Sequence, residues 1–186
     1  MVNCIINGKA LQVEDGKTIL EVARDEGIDI PTLCYHKELT PYGACRLCLV
    51  EIVAGGRPGL EAACVYKVTE ALEVKTDTDR VKSTRKIVFE LLLARCPDAE
   101  KVKKLAAEYG ITETRIKLKE KDNCILCGLC VRVCAEVSQR YAQSFSGRGV
   151  NRTIQTPFNK VSKKCIGCGA CAYLCPAESL KIEEAD

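Results

Sequence analysis

No stretch of this chain approaches the roughly 18 consecutive apolar residues that a membrane-spanning helix needs. The opening segment Met1-Val2-Asn3-Cys4-Ile5-Ile6-Asn7-Gly8 also lacks the basic run followed by an apolar one that marks an export signal. The expected location is therefore the cytoplasm, without membrane insertion. Charge of one sign is scarce: 28 Lys and Arg stand against 25 Asp and Glu, a formal +3 at pH 7 over 186 residues. The basic residues are scattered rather than gathered, which argues against a nucleic-acid partner. No Gly-x-Gly-x-x-Gly opens a helix and no phosphate loop is present, so neither flavin nor nicotinamide is expected on this chain. Nor is there a grouping of acid, base and nucleophile, so no catalytic residue is assigned. Histidine is nearly absent: His36 stands alone, whereas a Rieske centre needs two histidines on one iron.

Cysteine, by contrast, is abundant, and twelve of the fourteen fall into three sets. The first is Cys34-x10-Cys45-x2-Cys48-x15-Cys64. A pair two residues apart can hold one iron while a cysteine from each flank completes the second, as in two-iron clusters, although the spacing departs from the plant-type Cys-x4-Cys-x2-Cys. Gly43 and Ala44 leave backbone amides free to point at sulfur, and Arg46 adds positive charge beside it. The second set is Cys124-x2-Cys127-x2-Cys130-x3-Cys134 and the third Cys165-x2-Cys168-x2-Cys171-x3-Cys175-Pro176. Both match the bacterial two-cluster pattern, in which the fourth cysteine of each run ligates the other cluster. The expected [4Fe-4S] sets are thus Cys124, Cys127, Cys130 and Cys175, and Cys165, Cys168, Cys171 and Cys134. Gly128, Gly167 and Gly169 let the backbone wrap closely around them.

A disulfide scaffold would need an oxidising compartment, for which there is no export signal. Zinc sites use two Cys-x2-Cys pairs, whereas triplets recur here. Three clusters in a chain this small imply a relay of single electrons. Of the two remaining cysteines, Cys4 shares a strand face with Val2 and Ile6 and reads as a core residue, and Cys96 reads as a structural thiol near a helix junction. His36 reads as a loop residue, and Arg46, Arg132 and Arg148 are candidates for tuning clusters or binding partners, with a solvated surface position the simpler reading.

Val2–Ile6 and Lys9–Val13 are short apolar-rich runs joined by Asn7-Gly8, a strong hairpin signal. Thr18-Ile19-Leu20-Glu21 forms a capping box that opens a helix ending at Gly27. Leu49–Val53 and Ala71–Val74 read as strands, with Gly55-Gly56 and Pro58-Gly59 turning the chain between them. Composition shifts after Thr76. Asp79–Arg95 reads as a helix packing through Val81, Ile87, Val88, Leu91 and Leu92, and a second helix is expected from Pro97 to Gly110 through Val102, Leu105, Ala106 and Tyr109. The charged stretch Lys117–Asp122 then leads into the second cysteine set.

Ile30-Pro31-Thr32-Leu33-Cys34-Tyr35-His36 and Gly43-Ala44-Cys45-Arg46-Leu47-Cys48-Leu49-Val50-Glu51 resemble the amino-terminal two-iron domain of the large iron-sulfur subunit of respiratory NADH dehydrogenase. They are similar too to the amino-terminal parts of iron-only hydrogenases and to the diaphorase iron-sulfur subunit of NAD-linked nickel-iron hydrogenases. Cys130-Val131-Arg132-Val133-Cys134-Ala135-Glu136-Val137, Gly147-Arg148-Gly149 and Cys165-Ile166-Gly167-Cys168-Gly169-Ala170-Cys171 continue the likeness over nearly the whole chain. The resemblance implies an α+β chain: a beta-grasp plant-type ferredoxin domain over 1–78, a short helical connector over 79–117 and a bacterial-type two-[4Fe-4S] ferredoxin domain over 118–186.

One [2Fe-2S] and two [4Fe-4S] clusters follow, and a further four-iron cluster does not. Many relatives bind that cluster with one histidine and three cysteines after the first domain, but Leu91-Leu92-Leu93-Ala94-Arg95-Cys96-Pro97-Asp98 keeps one cysteine and no histidine. The expected function is electron transfer between an NAD(P)-binding flavoprotein subunit, with its own iron-sulfur clusters, and a catalytic subunit. Hydrogenase is favoured over formate dehydrogenase there, in a soluble complex that is electron-bifurcating or not. Soluble ferredoxin is a further exchange partner, and a free, diffusible polyferredoxin is the alternative.

Overall fold

The computed structural model describes residues 1–118 and 123–182, so that part of the charged stretch before Cys124 and the last four residues lie outside the described residues. Strands β1 (Val2–Ile6) and β2 (Lys9–Val13) form the expected antiparallel hairpin, with Asn7 and Gly8 both at positive φ (52° and 82°) as a tight two-residue turn demands. Asn7 also accepts from the Thr76 amide (2.9 Å) and donates to the Thr76 hydroxyl (2.8 Å), which ties the hairpin tip to a segment 69 residues away.

Helix α1 (Ile19–Asp25) starts at the reciprocal Thr18–Glu21 capping box and buries Ile19, Leu20, Val22 and Ala23 completely or nearly so. Strands β3 (Leu49–Ala54), β4 (Gly59–Ala62) and β5 (Leu72–Lys75) complete a five-stranded mixed sheet of order β2-β1-β5-β3-β4, in which only β1 and β5 run parallel. Strand β4 is not among the elements expected from sequence. Its Gly-Leu-Glu-Ala composition carries no strand propensity, and it forms because β3 offers an edge on which Leu49–Ile52 pair with Ala62–Gly59.

Helix α2 (Asp79–Arg95), capped by the Thr78 hydroxyl on the Val81 amide, matches its expected range. Its buried stripe differs from the expected one. Val81, Arg85, Phe89 and Leu92 face inward, whereas Ile87 and Leu91 are each 47% exposed. The inward stripe keeps helical spacing, but an arginine stands in it and hides the pattern from a reading based on hydropathy. Helix α3 (Glu100–Glu108) begins three residues later than Pro97 and buries Val102 and Ala106.

Beyond Cys124, regular structure is sparse. Helix α4 (Leu129–Arg132) widens into a π turn at Val133–Val137, β6 (Ser144–Ser146) pairs with β7 (Thr153–Gln155), and α5 (Ala170–Tyr173) closes the set.

Two cores result. One lies between the sheet and α1 and includes Cys4 as well as Cys48 and Cys64. The other is shared: Leu33, Leu39 and Leu47 from the first cysteine loop pack with Phe89, Leu92 and Val102 of the helical pair and with Ile125, Leu129 and Val133 from the second set. The helical pair therefore packs against both cysteine regions. Cys96, at the C-terminus of α2, is wholly buried in this second core.

Candidate iron-sulfur centres

Cys34, Cys45, Cys48 and Cys64 converge from the loop after α1, the turn entering β3 and the turn after β4, and none is more than 5% exposed. Local pairing explains the convergence. The Ala63 amide donates to the Cys48 carbonyl at 3.0 Å, and the amide of Leu20 in the first turn of α1 donates to the Ala63 carbonyl at 3.0 Å, so the Cys64 turn is pinned to both. The Cys45 amide donates to the Cys34 sulfur at 3.4 Å. Gly43, at φ 69°, makes the bend that brings the loop back over Cys34.

The thiols share protons. Hydrogen bonds from Cys45 and then Cys64 pull the Cys34 thiol down to about 2, and Cys48 is drawn to about 7 by Cys64. Cys45 and Cys64 are pushed well above the ordinary thiol range, first by their bonds to Cys34, then for Cys64 by its bond to Cys48, and for both by burial. Four buried sulfurs of this kind ionise together only when cationic metal offsets their charge, since isolated buried anions are strongly disfavoured. The donor set fits iron.

Cys124, Cys127, Cys130 and Cys175 line one cavity of about 190 Å³, with Gly128, Ile154 and Pro176 completing its wall. Burial pushes the Cys127 thiol up to about 11 and that of Cys130 up to about 12. Cys134, Cys165, Cys168 and Cys171 line a second cavity of about 380 Å³ beside Gly167, Gly169 and Ile182. In both cavities the fourth sulfur comes from the other cysteine run.

Amides and hydroxyls point at these sulfurs. The Leu126 amide donates to Cys124 (3.4 Å), Ala142 to Cys134 (3.3 Å) and Ser179 to Cys175 (3.3 Å), and the Ser138 hydroxyl lies 3.5 Å from the Cys168 sulfur. The bond from Ser138 is the chief cause that holds the Cys168 thiol below its ordinary value. Donors aimed at sulfur stabilise the ionised form and tune a metal centre. Each cavity is thus lined by four cysteines drawn from both runs, and polar groups lie against two of the sulfurs in each.

Outside the cysteines, three arginines matter, of which sequence reasoning singles out only Arg132. Arg85 Nη2 donates to the Leu49 carbonyl next to Cys48 at 2.6 Å, and Arg95 Nε donates to the Cys124 carbonyl at 2.5 Å. Arg132, expected on the solvated surface, is instead 9% exposed and reaches the Cys34, Thr40 and Cys127 carbonyls. The available signal is an arginine standing where helical spacing demands an apolar side chain, clearest at Arg85. Arg46 and Arg148 are exposed as expected. His36 Nδ1 accepts from the Glu38 amide at 3.3 Å, a local turn contact.

Comparison with known proteins places these sites in a family. The model of the 2Fe-2S iron-sulfur cluster binding domain matches residues 1–79, and that of the 4Fe-4S dicluster domain matches residues 123–179. An NADH-quinone oxidoreductase subunit of Rhizobium meliloti is 32% identical over 97% of this chain, and the HndD subunit of the NADP-reducing hydrogenase of Solidesulfovibrio fructosivorans is 32% identical over 99%. The chain spans only 24% and 36% of those two proteins. The gamma subunit of the NAD-reducing hydrogenase HoxS of Cupriavidus necator is 30% identical over 83% of the chain, and 75% of that subunit is covered. Among solved structures, a chain of an NAD+-reducing [NiFe]-hydrogenase in the H2-reduced state superposes with a TM-score of 0.73 at 28% identity, covering 83% of this chain and 74% of that one. Two iron-sulfur domains in this order, with matches along nearly the whole chain, establish that the protein belongs to the family of iron-sulfur subunits shared by NADH-quinone oxidoreductases and NAD(P)-linked hydrogenases.

Proposed function

We propose that this chain relays single electrons between an NAD(P)-binding flavoprotein subunit and a catalytic subunit of a multisubunit cytoplasmic complex. The observation that carries this reading is the gathering of twelve cysteines into three groups of four, one buried beside the sheet and two lining cavities in the carboxyl-terminal part. Hydrogenase is favoured over formate dehydrogenase as the catalytic partner because the HoxS, HndD and [NiFe]-hydrogenase relatives carry that activity in their names.

Cys34, Cys45, Cys48 and Cys64 would hold a [2Fe-2S] cluster within a beta-grasp domain over 1–78. Cys124, Cys127, Cys130 and Cys175 would hold one [4Fe-4S] cluster, and Cys165, Cys168, Cys171 and Cys134 the other, within a two-cluster ferredoxin domain over 118–186. The helical pair within 79–117 joins them. When bound, such clusters supply one-electron carriers. The chain supplies the thiolates, the amide and serine donors that offset their charge, and a packed core that excludes water from the first site.

Cys96 is sealed in the core and no histidine lies near it in the chain, which supports the loss of the additional four-iron cluster. Phe158, Val161 and Tyr173 are 94%, 91% and 83% exposed, respectively. Apolar side chains so exposed in the carboxyl-terminal part support a partner subunit covering it.

Iron and acid-labile sulfide on anaerobically purified protein, with electron paramagnetic resonance during stepwise reduction, test the cofactor assignment. About ten irons, as two plus four plus four, are expected. About fourteen would restore the additional cluster, and zinc without sulfide would overturn the reading. Co-elution with a flavoprotein tests the complex; a monomer that exchanges electrons with several reductases would instead mark a diffusible polyferredoxin.

A further inference from the structure

We propose that Arg132 is a positioning residue that locks the two-iron site against the first four-iron site and places one positive charge between them. The inference rests on the ligand assignment proposed above. Arg132 lies in the chain between Cys130 and Cys134, at the end of α4, and so shares a short backbone segment with one cysteine of each cavity. Its side chain leaves that segment and enters the first cysteine loop. Nη1 donates to the Thr40 carbonyl at 2.6 Å, and Nη2 donates to the Cys34 carbonyl at 2.6 Å and to the Cys127 carbonyl at 3.4 Å. One nitrogen therefore bridges main-chain oxygens of two cysteines that belong to different sites.

The neighbourhood keeps the guanidinium in place. Its carbon sits 5.7 Å from the centre of the Tyr42 ring, and Tyr42 stacks on Phe145 at 5.7 Å while its hydroxyl accepts from Arg152 at 2.8 Å. From the other direction, the Glu136 carboxylate accepts from the Thr40 amide at 2.7 Å. The first cysteine loop is thus clamped to the carboxyl-terminal part on both flanks, with Arg132 at the centre.

The charge is as telling as the geometry. A buried cation needs an anion or a full complement of acceptors, yet among the described residues all three bonds of Arg132 go to neutral carbonyls and its Nε has no hydrogen-bond partner. The anions this arrangement calls for are the thiolate sets on either side. A cation between two anionic redox sites favours the reduced form of each and so raises both potentials. Only arginine offers the planar fork that spans three carbonyls, so lysine would keep the charge and lose the bridge. The exchange that the bridge serves moves one electron and no proton, one site being oxidised as the other is reduced.

The test uses the full chain purified without oxygen, as wild type, Arg132→Lys, Arg132→Met and, as a surface control, Arg148→Met. Iron and sulfide per chain, the midpoint potentials of the two-iron signal and the first four-iron signal, and the broadening of the former when the latter is reduced are measured. Arg132→Met is expected to keep both signals, shift both midpoints to more negative values and lose the broadening. Arg132→Lys is expected to restore the midpoints but not the broadening, and Arg148→Met to change neither. Wild-type midpoints and broadening in Arg132→Met would overturn the proposal. If Arg132→Met fails to fold, Arg132→Lys decides: broadening equal to wild type overturns the bridge. Wild-type protein lacking the two-iron or four-iron signals would instead refute the ligand assignment, a failure distinct from signals that are present and indifferent to Arg132.

Discussion

A Cβ placed on Gly55 would lie 2.0 Å from the Ala71 carbonyl oxygen, at a backbone φ of 72° that side chains other than glycine rarely adopt. Gly55→Ala is therefore expected to cost about 2–3 kcal/mol, near the upper end of ordinary substitutions, read as a lowered thermal midpoint of the holoprotein. The crossed cysteines offer a sharper test. Cys175→Ser should abolish the four-iron signal of the Cys124 set and spare that of the Cys165 set, and Cys134→Ser should do the reverse, as electron paramagnetic resonance would report. Loss in the same run as the substituted residue would exclude the crossing. These cysteines are legible in the sequence because thiol spacing within a run is itself the chemistry. Arg132 is not, because its acceptors lie at Thr40 and Cys34, 92 and 98 residues away, and an arginine beside cysteines looks the same whether it faces water or a carbonyl. Cys4 is legible through alternation along a strand, a pattern that needs only its neighbours, and it lies 2% exposed in the core.

Helix α2 reaches from the first cysteine set to the second. Arg85 near its middle holds the Leu49 carbonyl beside Cys48, and Arg95 at its end holds the Cys124 carbonyl. Ten residues of helix separate the two, about 15 Å at 1.5 Å per residue. Phe89 lies between them, wholly buried, with its ring 5.3 Å from that of Tyr109 in the segment ending α3. Phe89→Ala should remove about 3–5 kcal/mol of stability, and denaturant unfolding monitored at the cluster absorbance should show the loss. An unchanged midpoint would mean that the helical pair carries none of the shared core. The range of α2 is legible from its cap and its length. Its face is not, since Arg85 interrupts the apolar stripe while Ile87 and Leu91 decorate the outside. Strand β4 escapes for the opposite reason: its residues carry no signal, and the edge of β3 induces it.

Over the whole molecule, burial is uneven. The sheet and α1 enclose a core of their own, whereas from Ser138 to Ile182 only Ala142, Pro176 and Ala177 are buried. So little apolar burial cannot hold that stretch together unaided, and metal binding there is folding free energy. Anaerobic removal of iron should therefore unfold the carboxyl-terminal part and leave the sheet folded, which hydrogen exchange resolved by residue would show as protection lost beyond Cys124 and kept in β1, β3 and β5. Uniform protection after iron removal would refute this division. The uneven burial is legible in the sequence, since a turn-rich stretch dense in cysteine and poor in long apolar runs has little to bury. The shared core is not, because it assembles side chains from three distant stretches. The bond from Arg132 to the Cys34 carbonyl spans 98 residues, and it gives the chain an order in time. At synthesis rates of ~5–20 residues per second, the Cys34 loop emerges roughly 5–20 s before the arginine that closes over it. During that interval the Cys34 loop exists without the contact that later closes over it.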